Sequence, residues 1–461
     1  MKRREFLRGT SLIASSALVL GSPKVLNAVQ SNKYDGEPAE LDDIDAKLDK
    51  PLTGIIIGAG NRGRVYAEYA SRYPGSFRLI GVSDIDEFRR NKMADRFDVK
   101  PEKRFGDWSE VFKQPKMADI VFITMPDSLH YASCMKALEM GYHVVLEKPA
   151  AQSAQECLDI LKQSRKYNCI VAVCHVLRYT PYFKAMKTAI DSGKIGDLIS
   201  IQHLERVEIF HYSDSYVRGI WRNSDETTPI IMSKSCHDMD IIRWLVGKKC
   251  NEVSAFGNLN FYKSDCAPKG AAKRCLDCKL EPDCTFSAKR IYYDRRARLG
   301  HFNLSGDKQQ QGEQILSYLK NTDYGKCVFH SDNNQPDHFV MNMRFDDNLT
   351  AQFAMECLSA RGGRFTRIWG TKGELEGDMS TFTITNLHTR KKEVWSGESI
   401  NSEGHGGGDL RLVRDMLWAV KKGDESYLTS NIEASIESHI MGFEAEKSRL
   451  SNGVVKKIQI Y

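Results

Sequence analysis

At 461 residues, 41% of them hydrophobic and 27% charged, the chain has room for two or three domains with sizeable cores. A net charge of +6 is small for this length, and no dense Lys/Arg block follows the first ten residues; charge therefore gives no sign of a nucleic-acid or membrane-surface role. Twelve cysteines are many, and where they fall matters more than how many there are.

The first 28 residues read as a signal peptide. Lys2, Arg3 and Arg4 give a basic start, 11–20 an apolar core, and Leu26-Asn27-Ala28 an approximate small-residue cleavage site. The apolar stretch is too short to span a bilayer, so no transmembrane segment is expected. Adjacent Arg3 and Arg4, then Phe6 and Leu7, resemble the twin-arginine type, with a plain secretory signal as the alternative. The expected destination is the periplasm or another exported location, reached through the export machinery.

Residues 29–50 are polar and acidic and read as a linker. From 51 the pattern alternates. Apolar, β-branched runs at 52–57, 77–83, 119–124 and 143–147 read as strands, and helix-period stretches at 62–71, 86–97 and 128–140 lie between them. Such alternation predicts an α/β fold with a doubly wound parallel sheet over 51–174. Ser153 with Glu156 predicts a capping box opening one more helix, and "CIVAVCHV" one more strand. From 175 to 461 the runs at 198–210, 252–261, 339–345, 350–357 and 374–385 predict a large, mostly antiparallel sheet. Helical spacing returns at 409–421 and 431–450.

The loop after the first strand carries Gly58, Gly60 and Gly63, with Asn61 and Arg62 between them. Strand, G-x-G-x-x-G and helix, in that order, bring backbone N–H groups and a helix N-terminus to the phosphates of a dinucleotide. Asp84, at the end of the next strand, can accept from the ribose hydroxyls. That favours NAD over NADP, because a carboxylate repels a 2′-phosphate; Arg89 and Arg90 nearby leave NADP as the lesser alternative.

Four ordered motifs then resemble the glucose–fructose oxidoreductase/inositol dehydrogenase (Gfo/Idh/MocA) family. They are the glycine fingerprint, "TMPDSLH" from Thr124 to His130, "EKPAA" from Glu147 to Ala151, and "SCHDMDIIRWLVG" with His237 and Asp240. The resemblance runs from about 51 to the C-terminus, with a cysteine-rich insertion at about 260–335. It implies a Rossmann domain followed by an α/β domain with an open sheet, a homo-oligomer, and an active site between the domains. It also implies cofactor contacts from Thr124, Pro126, His130, Glu147 and Lys148, with Lys148 near the nicotinamide and His237 as catalytic histidine. Family dehydrogenases often carry Asp four residues before that histidine; here Ser233 stands there, and Lys234 follows as a charged candidate. Tyr179 is a further catalytic candidate, and Arg178, Asp238, Asp240 and His405 are substrate candidates. "HGGGD" at His405 reads equally as a turn and N-cap.

Cys266, Cys275, Cys278 and Cys284 fall within 19 residues. Four thiolates suit a closed zinc site or an iron–sulfur cluster, and two disulfides or free thiols are the alternatives. An exported dehydrogenase cannot draw on the cytoplasmic cofactor pool. The expectation is therefore an NAD-dependent oxidoreductase acting on CH–OH groups of a carbohydrate or glycoside, with tightly held cofactor and redox-neutral chemistry, including that of an NAD-dependent glycosidase. An ordinary NAD-linked sugar or polyol dehydrogenase, or a non-catalytic carbohydrate-binding relative, is the alternative.

Overall fold

The computed structural model describes residues 32–33, 44–397 and 404–459. The expected signal peptide at 1–28 and most of the linker at 29–50 lie outside the described residues. The described end of that linker is packed: the Ala46 N–H donates to the Tyr69 hydroxyl at 2.9 Å, and Trp418 Nε1 donates to the Ala46 carbonyl at 2.9 Å.

The first sheet is built from β1 (Leu52–Ile57), β2 (Phe77–Ser83), β3 (Arg104–Phe105), β4 (Ile120–Ile123), β5 (His143–Leu146) and β6 (Val171–Val173). Its order is β3-β2-β1-β4-β5-β6, and every pairing is parallel. Crossover helices α1 (Asn61–Arg72), α2 (Glu87–Arg96), α3 (His130–Glu139) and α4 (Ala154–Lys166) link the strands. A sheet covered on both faces is apolar throughout, and Ile55, Ile56, Ile57, Val121, Phe122 and Ile123 are fully buried. Asp86 caps α2, accepting from the Arg89 N–H at 3.0 Å. Ser153 caps α4 through the Glu156 N–H at 3.2 Å, but Glu156 returns its bond to the Gln152 N–H, one residue before the expected partner.

The second sheet follows helix α5 (Pro181–Asp191). Its strands are β7 (Leu198–Glu208), β8 (Cys250–Asn258), β9 (His338–Phe345), β10 (Thr350–Ser359), β11 (Gly363–Gly370), β12 (Gly373–Gly377), β13 (Thr381–Asn386) and β14 (Lys392–Ser396). The order is β14-β13-β12-β11-β7-β10-β9-β8, with Asn32–Lys33 and Lys456–Lys457 adding two-residue edges. Pairings are antiparallel except β7 with β10 and Asn32–Lys33 with β14. The sheet is thus mixed but mostly antiparallel. The expected single run at 374–385 divides into β12 and β13, and 209–212 leaves β7 for a helical turn.

Burial alternates along β9 and β10, as a sheet with one covered face requires. Helices α6 (Cys236–Val246) and α9 (Ile432–Leu450) lie on the covered face, while Ile199, Phe256, Val340 and Leu358 stand exposed on the other. Helix α8 (Gly408–Lys422) instead returns to the first sheet, where Leu412, Val413 and Met416 join the core under α1. The insertion forms a small separate core of Cys275, Ala288, Ile291, Tyr292, Phe302, Ile315 and Leu319, the last two from α7 (Lys308–Asn321). No helix among the described residues is long and apolar enough to cross a membrane.

Candidate active site

A groove of about 440 Å³ opens along the C-terminal ends of β1, β2 and β4, where doubly wound sheets bind ligands. Gly58, Gly60, Asn61, Arg62, Asp84, Thr124, Pro126, His130, Glu147 and Lys148 all line it. The glycines have separate reasons. Gly58 has φ +99°, and a Cβ there would lie 2.7 Å from the Thr124 carbonyl oxygen. At Gly63 a Cβ would sit 2.2 Å from the Gly58 carbonyl, so the helix could not close on the loop. Around Gly60 there is only open space, leaving its backbone free for a ligand. A cradle of bare backbone at a helix start fits a dinucleotide pyrophosphate.

Asp84 is buried at the end of β2 and does two jobs. Its Oδ2 accepts the Ala59 N–H at 2.7 Å, and its Oδ1 accepts the Asp86 N–H at 2.8 Å and Arg89 Nη2 at 3.1 Å. Thr124 Oγ1 donates to the Gly58 carbonyl at 2.7 Å and fixes the loop from the neighbouring strand. His130 spans two loops, with Nδ1 at 2.8 Å from the Pro149 carbonyl and Nε2 at 2.9 Å from that of Met125. It holds the groove wall together.

At the far end Glu147 and Lys148 turn toward the second domain. Burial works against the Glu147 carboxylate, but Arg62 and Lys148 outweigh it and hold its pKa below the usual range. Arg62 Nε meets Glu147 Oε1 at 2.5 Å, and its Nη2 meets Asp409 Oδ1 at 2.6 Å, which ties the glycine helix to α8. Asp409 ends the "HGGGD" stretch read as a turn and N-cap or a substrate loop; it lies inside α8 and caps nothing, and its partner Arg62 stands 347 positions away. Lys148 Nζ donates to the Ser233 carbonyl at 2.5 Å, directly before the His237 helix.

His237 is buried, with Nδ1 unpartnered. Burial first, then the charges of Lys148 and Arg364, lowers its pKa well below that of a free imidazole. The ring is neutral at neutral pH and can take a proton. The His405 ring lies 6.1 Å away, its Nδ1 held 3.1 Å from Asp409 Oδ2. Lys234 Nζ is paired with Glu205 Oε1 at 2.7 Å, close to this group but not free of a partner.

Other expected site residues do not join it. Arg178 and Asp240, expected at the substrate, bind each other through two 2.6 Å bonds inside the core. Tyr179 is fully buried, its hydroxyl 2.8 Å from Ser430 Oγ, so it is a core residue and not a proton carrier. Asp238 is likewise consumed, with Arg364 Nε at 2.6 Å and His203 Nε2 at 3.0 Å from its Oδ1. Asp238 and Asp240 are polar and close in sequence to His237, which is why they resembled substrate ligands. The groove also takes Ile85, Trp108, Ile220 and Trp221, which sequence reasoning missed, since apolar side chains carry no mark of a binding role in the sequence.

The expected set of Cys266, Cys275, Cys278 and Cys284 is not assembled. None of the twelve cysteines is in a disulfide, and among the described residues no three or more His, Cys, Asp or Glu side chains already converge as a ligand set. Cys266 Sγ faces the Asn260 carbonyl at 3.3 Å instead.

Two family models account for most of the chain. The oxidoreductase family's NAD-binding Rossmann fold matches residues 52–175, and its C-terminal α/β domain matches 187–442. YteT of Bacillus subtilis is 25% identical over 391 residues, covering 78% of this chain and 88% of its own length. Inositol 2-dehydrogenase 1 of Saccharopolyspora erythraea is 26% identical over 209 residues, 43% of this chain and 56% of that protein. Among solved structures, an inositol dehydrogenase homologue from Azotobacter vinelandii complexed with NAD+ superposes with a TM-score of 0.66 at 16% identity, covering 90% of this chain and 99% of that one. A levoglucosan dehydrogenase bound to NADH and levoglucosan gives 0.64 at 15% identity, over 89% of this chain and all of the other. With both domains matched in order, the chain belongs to the Gfo/Idh/MocA oxidoreductase family.

Proposed function

We propose that the protein is an exported NAD-dependent oxidoreductase that acts on a CH–OH group of a carbohydrate or polyol, keeps its cofactor bound, and returns the electrons within each cycle. The observation that carries the reading is one groove running from the glycine cradle and Asp84 to Lys148, where the His237 segment meets it. A nicotinamide dinucleotide held there supplies hydride acceptance and donation. Gly58, Gly60, Asn61 and Arg62 would hold its phosphates and Asp84 its ribose, the carboxylate disfavouring a 2′-phosphate. Lys148 Nζ donates to the substrate oxygen and stabilises negative charge on it. His237, neutral and desolvated, accepts the hydroxyl proton and gives it back in the return step. The relatives named for inositol and levoglucosan support a ring polyol or sugar as the substrate class.

Retention of the cofactor is supported by the insertion. Gly300 lies so close to Asn61 that a Cβ on it would fall 2.2 Å from the Asn61 amide, and Asn303 Nδ2 donates to Asp86 Oδ2 at 2.6 Å. Residues 300–303 thus lie over the glycine helix and the end of β2, against two elements that hold the dinucleotide. Asn303→Asp sets a carboxylate against Asp86 and is expected to speed cofactor release by about tenfold, the equivalent of about one lost charged hydrogen bond. Stopped-flow dilution into a dinucleotide scavenger measures it, and an unchanged rate removes the insertion from retention.

The chemistry is tested by pH. Because His237 must be unprotonated to accept a proton and its pKa is depressed, the acid limb of kcat/KM should fall below pH 6.5, the ordinary histidine value. A limb at or above that value contradicts the role of His237. Turnover of a glycoside or polyol without added NAD, giving no net reduced nicotinamide, separates the redox-neutral cycle from an ordinary dehydrogenase.

A further inference from the structure

The insertion's cysteines converge in a way that the NAD reaction does not use. Cys266, Cys275, Cys278, Cys284 and Cys327 line one cavity of about 400 Å³, walled by Phe261, Phe286 and Phe329. Five thiols around one cavity are more than packing requires.

Backbone geometry brings four of them together. An antiparallel bridge joins Arg274 to Lys326, and the Cys327 N–H donates to the Lys273 carbonyl at 2.9 Å, so Cys275 and Cys327 lie diagonally across the bridge, each one residue beyond it. Cys278 follows Cys275 after a single 3-10 turn, the spacing with which a C-x-x-C pair can grip one ion. Cys284 closes the group from the next turn, on the wall of the same cavity. Cys266 stays apart, its Sγ turned to the Asn260 carbonyl.

Two of these four sulfurs also face an N–H donor. Ala272 N–H donates to Cys278 Sγ at 3.5 Å. Cys275 Sγ receives Nη2 of Arg218 at 3.6 Å, and as a thiol lies 3.7 Å from the Lys326 carbonyl. Neutral thiols are weak acceptors, whereas thiolates are strong ones. Donors aimed at the sulfurs are what a set of metal-bound thiolates needs around it.

Arg218 is the independent observation. It is fully buried, bonds the carbonyls of Lys326 and Phe286 at 2.7 Å each, and leaves Nη1 without any partner. A buried guanidinium with a spare donor beside four neutral thiols is uncompensated. Four thiolates around a divalent ion leave a net charge of about −2, which the guanidinium and the Ala272 amide answer.

We propose that Cys275, Cys278, Cys284 and Cys327 form a structural site for a single zinc ion. The four sulfurs stand open and must swing inward by rotation about Cα–Cβ to meet the ion. On binding, the four thiols release their protons to solvent, and no electron transfer is involved. The site has no open position, so it does no chemistry. Its work is mechanical: the insertion's own core holds only seven buried residues, and a domain that small needs a staple.

The test is elemental analysis of the full-length protein, purified without chelator, wild type beside Cys266→Ser, Cys327→Ser and Cys278→Ser. The expected result is about one zinc per chain in wild type and in Cys266→Ser, and less than about a tenth of that in the other two. Cobalt exchanged into the wild type should give the intense d–d absorption of a tetrahedral four-sulfur site, a signature that does not depend on whether a variant folds. Iron with a charge-transfer chromophore in place of zinc overturns the ion assigned. No stoichiometric metal, or equal loss in Cys266→Ser and Cys327→Ser, overturns the site, and mass-mapped disulfides would then account for the cluster.

Discussion

Lys148→Ala should retain its bound dinucleotide and lower kcat/KM by about a thousandfold, within the range for loss of a positioned proton-transfer or charge-stabilising group. The ammonium is held at the groove end by the Ser233 carbonyl at 2.5 Å, an interaction that a substrate oxygen can share without moving the lysine far. Arg62, the cation beside Glu147, is already engaged by that carboxylate and by Asp409. His237→Ala should show a loss of similar size. The double variant should lose little more than either single one, because groups that act on one proton are not additive. Steady-state kinetics with released cofactor measured in parallel checks this, and near-wild-type turnover in Lys148→Ala would withdraw the assignment.

A second large effect is expected far from the groove. Arg178→Met should destabilise the fold by about 3–5 kcal/mol, because it strands a carboxylate in the core. Arg178 and Asp240 are nearly inaccessible, and each is the other's bidentate partner. Burial lifts the Asp240 carboxyl above its usual range, and Arg178 offsets this only in part. An acid with a raised folded pKa favours folding at low pH and loses that contribution as pH rises through the folded value. The penalty of Arg178→Met should therefore be smaller near pH 5 than near pH 8, as chemical denaturation at both would show. Arg178→Met with Asp240→Leu should recover most of the loss. A folded, stable Arg178→Met with impaired substrate binding would restore the substrate role that the core pairing denies.

These two variants also mark where sequence was sufficient. Gly58, Gly63 and Asp84 were legible because their constraint is local: a strand end, a turn and the next strand, all within one βαβ unit. The place of Lys148 at the groove end was legible through its E-K-P motif, and the burial of His237 near it through the motif that opens α6. Arg178 and Asp240 were misplaced because their bond joins residues 62 apart, and either side chain alone looks like a ligand. The same holds for Arg62 with Asp409, and for Cys275 and Cys327, which topology brings to one cavity with no local signature. Among elements, the buried parallel strands appeared as apolar runs. β11 escaped because its buried positions are Arg364, Thr366, Ile368 and Gly370, of which Ile368 alone is a large apolar residue, and β14 because it buries only Trp395. Helix α6 was masked by its buried polar residues Asp238 and Asp240, which satisfy partners on other elements.

The central claim is that this fold carries its own dinucleotide. Denaturing the purified, extensively dialysed protein and analysing the supernatant by mass spectrometry tests it most directly. The account predicts close to one nicotinamide adenine dinucleotide per chain, without a 2′-phosphate, and retained in Lys148→Ala. A folded protein that releases none, and binds none when it is supplied, would contradict it.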